Sequence, residues 1–359
     1  MIRIRGKRAF ALAAAATPLI LTASLSACSS AGSSSSSAPA AGSTSSATAS
    51  AAAASAGKIA FVIKPLDNTY FGAMAQGAQD EAKQDGLSIT VIAADSVTDD
   101  SGQASKLSAL VSAGGYGCYV VNPTSATNLI NGLVPVSKAG TPIVNLDLPM
   151  DTSAAAAAGV KISTYVGTNN QTAGAAGGKE MLKLLKAGDT VVPIGGIPGD
   201  PGSIARIAGF TSAVSGTLKV SATIAGNDDE ATAKSAAAAI LRQNPNVKGF
   251  FTVAGVMAMG IQQAVQEAGL NGKVAVIGVD GIQPQLQNIL AGGQPAAVEQ
   301  FPYLMGVQSV QACVAAMAGK KLPADVQTPV LTVTKENAQA ALSSYPKPPA
   351  SFVVPDPFS

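Results

Sequence analysis

The 359-residue sequence contains no histidine and only 3 cysteines. The absence of histidine excludes Ser-His-Asp and Cys-His catalytic sites and zinc sites with imidazole ligands. Only Cys118 and Cys313 fall in the part of the chain that we expect to fold, so a zinc centre or a thiol enzyme is not expected, and we predict neither a metal nor a cofactor. Both residues lie in apolar segments, a predicted strand and a predicted helix. We expect two buried, unpaired cysteines that behave as small apolar side chains, with a disulfide between them as the alternative.

Charged residues are also scarce, at 12% of the chain, with 23 basic and 21 acidic side chains. Four of the basic ones fall within the first eight residues; without them, 19 basic face 21 acidic residues and the remainder is close to neutral. No basic stripe is present that would follow a phosphate backbone. Nucleic acid is therefore not an expected partner.

The N-terminal segment has the features of an export signal. Basic residues occupy positions 3, 5, 7 and 8, and the apolar run 9–25 that follows is too short for a confident membrane span. The signal peptide is predicted to cover residues 1–27, because Leu25-Ser26-Ala27-Cys28 resembles the lipobox of bacterial lipoproteins. That resemblance implies export, lipidation at Cys28 and attachment to the outer face of the cytoplasmic membrane or to the periplasmic side of a membrane. Residues 28–57 are mostly Ser, Ala, Gly and Thr, a composition typical of a disordered tether.

The folded part begins with a strand, a helix and a second strand between residues 58 and 95. Lys58 to Ile63 is an apolar run that ends at a Lys-Pro turn. Apolar residues then recur with helical spacing until Gly86, which is expected to end the helix in a left-handed conformation. Ser88 to Ala93 forms the next strand. A single connecting helix makes the two strands parallel neighbours, and ligands of such sheets bind at the carboxyl ends of the strands.

Strands and helices alternate along the rest of the chain in two successive series. Further strands are predicted at 118–121, 141–146, 164–167, 190–194, 219–225, 248–253 and 273–279. Helices are predicted at 101–113, 125–138, 171–186, 203–216, 230–243 and 256–268, the second of them capped by Ser125. Two such series favour an α/β fold with two doubly wound parallel-sheet lobes over a single barrel, although counting alone leaves eight repeats closed into a barrel as an alternative.

Polar side chains follow several strands at the edge where a ligand is expected. Asn68, Asn122 and Asp147 come after three strands of the first series, and each is otherwise a typical turn former. In the second series, Arg206 lies one turn inside a helix, where a guanidinium can form forked hydrogen bonds. The glycine-rich turn 195–203 lacks the lysine of a phosphate-binding loop, so phosphate binding is not favoured.

Several motifs resemble the ribose-binding-type solute receptors of bacterial ABC transporters, which have the type I periplasmic binding protein fold. The similarity extends over nearly all of residues 58–335. It rests on the opening strand with Asp67-Asn68-Thr69-Tyr70-Phe71, and on Val121-Asn122-Pro123-Thr124, Pro142-Ile143-Val144-Asn145-Leu146-Asp147, Arg206-Ile207-Ala208-Gly209-Phe210, Gly278-Val279-Asp280-Gly281 and Val298-Glu299-Gln300.

The resemblance implies two lobes joined by a three-segment hinge. The N-terminal lobe would contain residues 58–166 and 301–327, the C-terminal lobe residues 167–300 and 328–345, and residues 346–359 would form an extended Pro-rich tail. A small polar ligand, a monosaccharide or polyol, would lie between the lobes and pass to an ABC transporter permease, and the protein would be a monomer. The ligand-binding residues carried over from the family are Asn68, Tyr70, Phe71, Asn122, Asp147, Arg206, Asp280 and Gln300.

The chain departs from the ribose-type pattern at several of these positions. Lys64 replaces a small hydroxyl residue, and Asp228 or a neighbour replaces an aromatic side chain; both are counted among the candidate ligand-binding residues. Leu148 and Ala254 replace an arginine and an asparagine. These differences argue against ribose itself as the ligand.

Three other functions are alternatives to delivery of a ligand to an importer. A receptor for a membrane sensor kinase would have the same sequence features. An exported α/β hydrolase or sugar-modifying enzyme is disfavoured by the missing histidine and by the absence of a Gly-x-Ser-x-Gly motif. A repressor core with this fold is disfavoured by the export signal and by the absence of a helix-turn-helix segment. We therefore do not expect an enzyme.

Overall fold

The computed structural model describes residues 57–352, 354, 357 and 358. The first lobe contains one six-stranded sheet in which every neighbouring pair is parallel. Its strands, in spatial order, are β12 (Asp325–Thr328), β5 (Thr164–Thr168), β4 (Ile143–Leu146), β3 (Cys118–Val121), β1 (Lys58–Ile63) and β2 (Ser88–Ala93). Its helices are α1 (Thr69–Gln84), α2 (Asp100–Ala113), α3 (Ile130–Lys138), α4 (Thr152–Ala157) and α10 (Pro302–Met317).

The second lobe contains a seven-stranded sheet that is parallel except for one edge strand. Its strands, in spatial order, are β13 (Leu331–Thr334), β11 (Ala296–Glu299), β10 (Ala275–Asp280), β9 (Val247–Thr252), β6 (Thr190–Gly195) and β7 (Lys219–Val220), and β8 (Ile224–Ala225) also pairs with β6. Its helices are α5 (Asn170–Leu184), α6 (Pro201–Val214), α7 (Glu230–Gln243), α8 (Gly255–Glu267), α9 (Gln283–Leu290) and α11 (Ala338–Ser344). Two open sheets, and not one closed barrel, form the core.

The chain passes between the two sheets three times. It leaves the first sheet after Thr168, returns after Glu299 and leaves again between Thr328 and Leu331. The three passages lie at the carboxyl ends of β5, β11 and β12. The lobes are therefore connected beside the strand ends, where a ligand of a parallel sheet is expected.

The opening unit follows the prediction because its signals are local. β1 and β2 pair in parallel, and the predicted apolar face of α1 is buried against the sheet. Asn68 caps the helix by accepting a hydrogen bond from the backbone N–H of Tyr70 at 3.0 Å. Gly86 ends it with φ of 68°, a conformation that glycine adopts without steric cost.

Most predicted elements end within two residues of the observed bounds, but two differ by more. The helix predicted from Ser125 begins only at Ile130, because the Ser125 hydroxyl donates to Asp100 at 2.7 Å and does not cap the helix. The strand predicted over residues 219–225 is two short strands, since only their ends pair with β6. In the first case a tertiary contact outweighed the local sequence pattern.

The expectation of two unpaired cysteines was also wrong. Cys118 on β3 and Cys313 on α10 form a disulfide with a Cα–Cα distance of 5.7 Å and a sequence separation of 195 residues. Both residues are completely buried, as predicted. The sequence does not reveal which side of α10 faces β3, and that contact is what brings the two sulfur atoms together.

The C-terminal segment returns from α11 to the first lobe and the hinge. Lys347 Nζ lies 5.1 Å from the centre of the Tyr303 ring, and the Phe352 and Phe301 ring centres are 4.9 Å apart. No helix among the described residues is long and apolar enough to cross a membrane. The signal peptide and lipidation at Cys28 predicted from the sequence lie outside the described residues, as does all of the predicted tether except Gly57.

Candidate functional site

A cleft between the two lobes contains most of the predicted site residues. It spans about 680 Å³ of space free of protein atoms, open solvent included. Eight of the ten predicted ligand-binding residues line it: Lys64, Asn68, Tyr70, Phe71, Asp147, Arg206, Asp228 and Asp280. The cleft lies at the carboxyl ends of the strands of both sheets.

The first-lobe wall is organised around Asp147. The Tyr70 hydroxyl donates to its Oδ1 at 3.1 Å, and Asn122 Nδ2 donates to its Oδ2 at 3.1 Å. The Tyr165 hydroxyl donates to the backbone carbonyl of Asp147 at 2.6 Å, and Asp147 has a left-handed φ of 62°. Burial, followed by the charge of Asp147, raises the pKa of Tyr70 well above its usual range, so this phenol remains a hydrogen-bond donor. The carboxylate is thus held in place before any ligand arrives.

Aromatic surface is present on the first-lobe side of the cleft. Tyr70 and Phe71 pack edge to face with ring centres 5.3 Å apart, and Lys64 Nζ lies 5.5 Å from the centre of the Phe71 ring. Both aromatic side chains are at least nine-tenths buried. An aromatic surface beside hydrogen-bonding groups suits a molecule that has both apolar C–H and polar faces.

The second-lobe wall is organised around Arg206 on α6. Its Nε donates to Asn170 Oδ1 at 2.7 Å, Nη1 to the Val253 carbonyl at 2.6 Å and Nη2 to Gln300 Oε1 at 3.1 Å. Helices α5 and α6 approach closely at Gly174, where a Cβ would overlap the carbonyl of Arg206. The position of the guanidinium therefore depends on helix packing as well as on its hydrogen bonds.

Asp280 pairs with this guanidinium at the end of β10. Its Oδ1 lies 3.6 Å from Arg206 Nη1 and accepts a hydrogen bond from Gln300 Nε2 at 2.7 Å. Its Oδ2 accepts from the backbone N–H of Gly255 at 2.8 Å. Burial raises the pKa of Asp280, and the positive charge of Arg206 acts against that rise.

Asn122 and Gln300 lie behind the cleft surface. Both are almost completely buried and contact the side chains that line the cleft, Asn122 through Asp147 and Gln300 through Arg206 and Asp280. Direct contact of these two residues with a ligand stays a prediction. In this structure they orient the charged groups in front of them.

Some lining residues were not predicted to bind ligand. Asn170 lines the cleft and begins α5 just after β5. Its position after the end of a strand could have identified it as a candidate site residue. Val97 and Val256 add apolar surface that no motif indicates. Leu148 and Ala254, recognised as departures from the family pattern, also line the cleft.

Glu299 is a buried carboxyl group beside the site, at the end of β11. It is 2% exposed, and its Oε2 has no hydrogen-bond partner among the described residues. Burial raises its pKa from the usual 4.5 to about 8. Between these two pH values the folded protein binds the proton more tightly than the unfolded chain, so the free energy of unfolding falls as the pH rises through this window.

We expect Glu299→Gln to raise the free energy of unfolding at pH 8. The gain should be roughly 1.4 kcal/mol for each unit by which burial raises the pKa of Glu299. At pH 4.5 the variant should differ little from wild type, because Glu299 is protonated in the folded protein there. Urea denaturation at pH 4.5, 6 and 8 measures both values. The control is Glu267→Gln, since the Glu267 side chain is 64% exposed. An unchanged pH dependence in Glu299→Gln would show that this carboxyl is not the cause.

The fold and the cleft together define a two-lobed binding protein with the type I periplasmic binding protein architecture. Residues 59–321 match the model of the periplasmic binding protein domain family. The D-allose-binding periplasmic protein of Escherichia coli is 34% identical over 274 residues, which are 75% of this chain and 88% of that protein. The D-ribose/D-allose-binding protein of Pseudomonas aeruginosa is 28% identical over 284 residues, covering 77% and 88% of the two chains.

A solved structure gives the same result. The periplasmic solute-binding protein of an ABC transporter from Actinobacillus succinogenes, crystallised with bound D-allose, superposes with a TM-score of 0.74 at 30% sequence identity. The match covers 79% of this chain and 99% of that one. The chain belongs to the periplasmic binding protein domain family, so the family and fold predicted from the sequence are confirmed.

Proposed function

We propose that the protein is an extracytoplasmic receptor that captures a monosaccharide or polyol between its lobes and delivers it to the permease of an ABC importer. The observation that carries the proposal is the cleft itself. The carboxylates of Asp147 and Asp280 and the guanidinium of Arg206 are fixed around it, with the Tyr70 and Phe71 rings on one side. Charged groups form strong hydrogen bonds to hydroxyls, and an aromatic surface covers the C–H face of a sugar.

Ligand capture proceeds by closure of the two lobes about the three chain passages. Only the closed arrangement pairs the polar groups of both walls with one ligand, so the ligand selects that state. The ten residues predicted from the sequence are the proposed ligand-binding set, with Asn122 and Gln300 acting behind the others. The similarity to proteins named for D-allose and D-ribose binding supports a sugar of this size.

Export and a lipid anchor complete the proposal. The basic and apolar N-terminal residues and the Leu25–Cys28 motif support a cleaved signal peptide and lipidation at Cys28. A buried disulfide is expected in an oxidising compartment outside the cytoplasm. The protein would act as a monomer that is tethered to the membrane by residues 28–57. Its two lobes would have the bounds that the family resemblance implies.

A thermal-shift screen tests the ligand class. D-allose, D-ribose and D-arabinose are compared with nucleosides and amino acids; a ligand present at about 100 times its dissociation constant adds roughly 2.7 kcal/mol to the free energy of unfolding. We expect a sugar to raise the melting temperature and Asp147→Ala to abolish the rise. Asp85→Ala, at an exposed carboxylate at the end of α1, is the control. A response only to nucleosides or amino acids would overturn the sugar proposal.

A further inference from the structure

The charged side chains of the cleft differ in whether they form hydrogen bonds or ion pairs within the protein. Asp147, Arg206 and Asp280 each form hydrogen bonds with other side chains or with the backbone. Lys64 and Asp228 also line the cleft, but neither forms a hydrogen bond or ion pair within the part of the chain that the structure describes. The Lys64 ammonium group lies 5.5 Å from the centre of the Phe71 ring and lines the cleft. These two opposite charges are the ones left for a ligand.

The carboxylate of Asp228 is held in place by its loop. Asn227 and Asp228 have left-handed φ values of 56° and 54°, an arrangement that costs non-glycine residues free energy and persists where surrounding structure enforces it. The next residue, Asp229, caps α7 by accepting a hydrogen bond from Thr232 N–H at 2.7 Å. A Cβ at Gly196 would overlap the Asp228 carboxylate, so a glycine there leaves room for it.

Lys64 and Asp228 line the cleft from different lobes. Lys64 follows β1 in the first lobe, and Asp228 lies between β8 and α7 in the second. Burial raises the pKa of Asp228 to about 6, and the charge of Lys64 is the largest influence against that rise. The carboxylates of Asp200 and Asp280 raise this pKa and the guanidinium of Arg206 lowers it, so the surroundings are mixed in sign.

We propose that one hydroxyl group of the bound sugar lies between Lys64 and Asp228 and that this pair determines which sugar is bound. The hydroxyl donates a hydrogen bond to the Asp228 carboxylate and accepts one from the Lys64 ammonium group. A hydroxyl is both donor and acceptor, so one such group satisfies both side chains. A ligand amine would leave Lys64 unpaired, and a ligand carboxylate would leave Asp228 unpaired. Leaving a buried polar group unpaired is a strong source of discrimination between similar ligands. The inference rests on the proposed sugar-binding function.

The test is a double-mutant cycle measured by calorimetry with D-allose as the probe. Asp228→Asn keeps the shape of the side chain, and Lys64→Met keeps most of its apolar length. We expect each single variant to weaken binding by about tenfold to a hundredfold. The double variant should lose much less than the product of the two factors, because both residues act through one hydroxyl. Lys83→Met on α1, outside the cleft, is the control.

Monodeoxy analogues of D-allose identify the hydroxyl. For one analogue, the affinity of the wild-type protein should be at least about tenfold lower than its affinity for D-allose. The double variant should bind this analogue and D-allose with equal affinity. Wild-type affinity should also fall as the pH drops through about 6, since Asp228 becomes protonated there, and Asp228→Asn should not show this fall. Independent effects of the two substitutions, or no analogue with that behaviour, would overturn this inference alone. Failure of every sugar in the thermal-shift screen to bind would overturn the proposed function with it.

Discussion

Replacing Arg206 with alanine is expected to weaken sugar binding by about thirtyfold or more. Removing one partner of a buried, hydrogen-bonded charge pair costs about 2–5 kcal/mol, and every 1.4 kcal/mol is a factor of ten in the dissociation constant. The Arg206 and Asp280 side chains are only 13% and 12% exposed, so Asp280 would lose its main counter-charge in a largely buried position. Three other hydrogen bonds of the guanidinium are lost at the same time. Calorimetric titration with the sugar identified by the thermal-shift screen measures the effect.

Two further variants separate charge from geometry. Arg206→Lys keeps the charge but cannot reproduce the forked contacts to Asn170 and Gln300, so we expect it to recover only part of the lost affinity. Arg242→Ala is the matched control, because Arg242 is the other arginine beyond the N-terminal segment and is exposed near the end of α7. Wild-type affinity in a correctly folded Arg206→Ala protein would show that the ligand does not bind at this wall of the cleft.

The parts of the fold that depend on neighbouring residues could be predicted from the sequence. The opening strand, helix and strand contain their own apolar periodicity, the Asn68 cap and the Gly86 terminator, and all of these act within a few residues. The alternation of strands and helices also predicted the class of fold. It did so because a parallel sheet needs a crossing helix between successive strands.

Errors arose where distant residues compete for the same groups. Ser125 looks like a helix cap in the sequence, but Asp100 lies 25 positions earlier and accepts its hydroxyl hydrogen bond. The neighbouring Thr124 hydroxyl donates to the same carboxylate at 2.6 Å. A local pattern contains no information about such a partner. The helix consequently begins at Ile130, beyond this polar cluster.

Eight of the ten candidate residues line the cleft, but the sequence did not show which candidates lie behind its surface. Motifs at strand ends identified residues that the fold brings into one cleft, because all strand ends of a parallel sheet meet at one edge. They did not separate side chains that line the cleft from those behind it. Asn122 and Asp147 follow neighbouring strands in the same way, but only Asp147 has a surface in the cleft. That distinction depends on side-chain packing, which strand-end motifs do not describe.

Replacing both Cys118 and Cys313 with alanine is expected to lower the free energy of unfolding by about 5 kcal/mol. The disulfide closes a loop of 195 residues, and the chain-entropy model gives about this value for so long a loop, at the upper end of the usual range for natural disulfides. The melting temperature should fall by roughly 10 °C for a protein of this size. Thermal and urea denaturation of the double variant and of wild type measure the two quantities.

Counting thiols in the denatured protein distinguishes this disulfide from two buried free cysteines. Without reductant, only thiols other than those of Cys118 and Cys313 should react; two additional thiols after reduction would establish the bond. Two free thiols in the unreduced protein, or a double variant as stable as wild type, would contradict it. Because such a bond persists in oxidising compartments, the same count in protein isolated from its natural host also tests export. The N-terminal segment predicts export independently of the disulfide. Free Cys118 and Cys313 thiols in the native protein would contradict the disulfide and would also weaken the case for export.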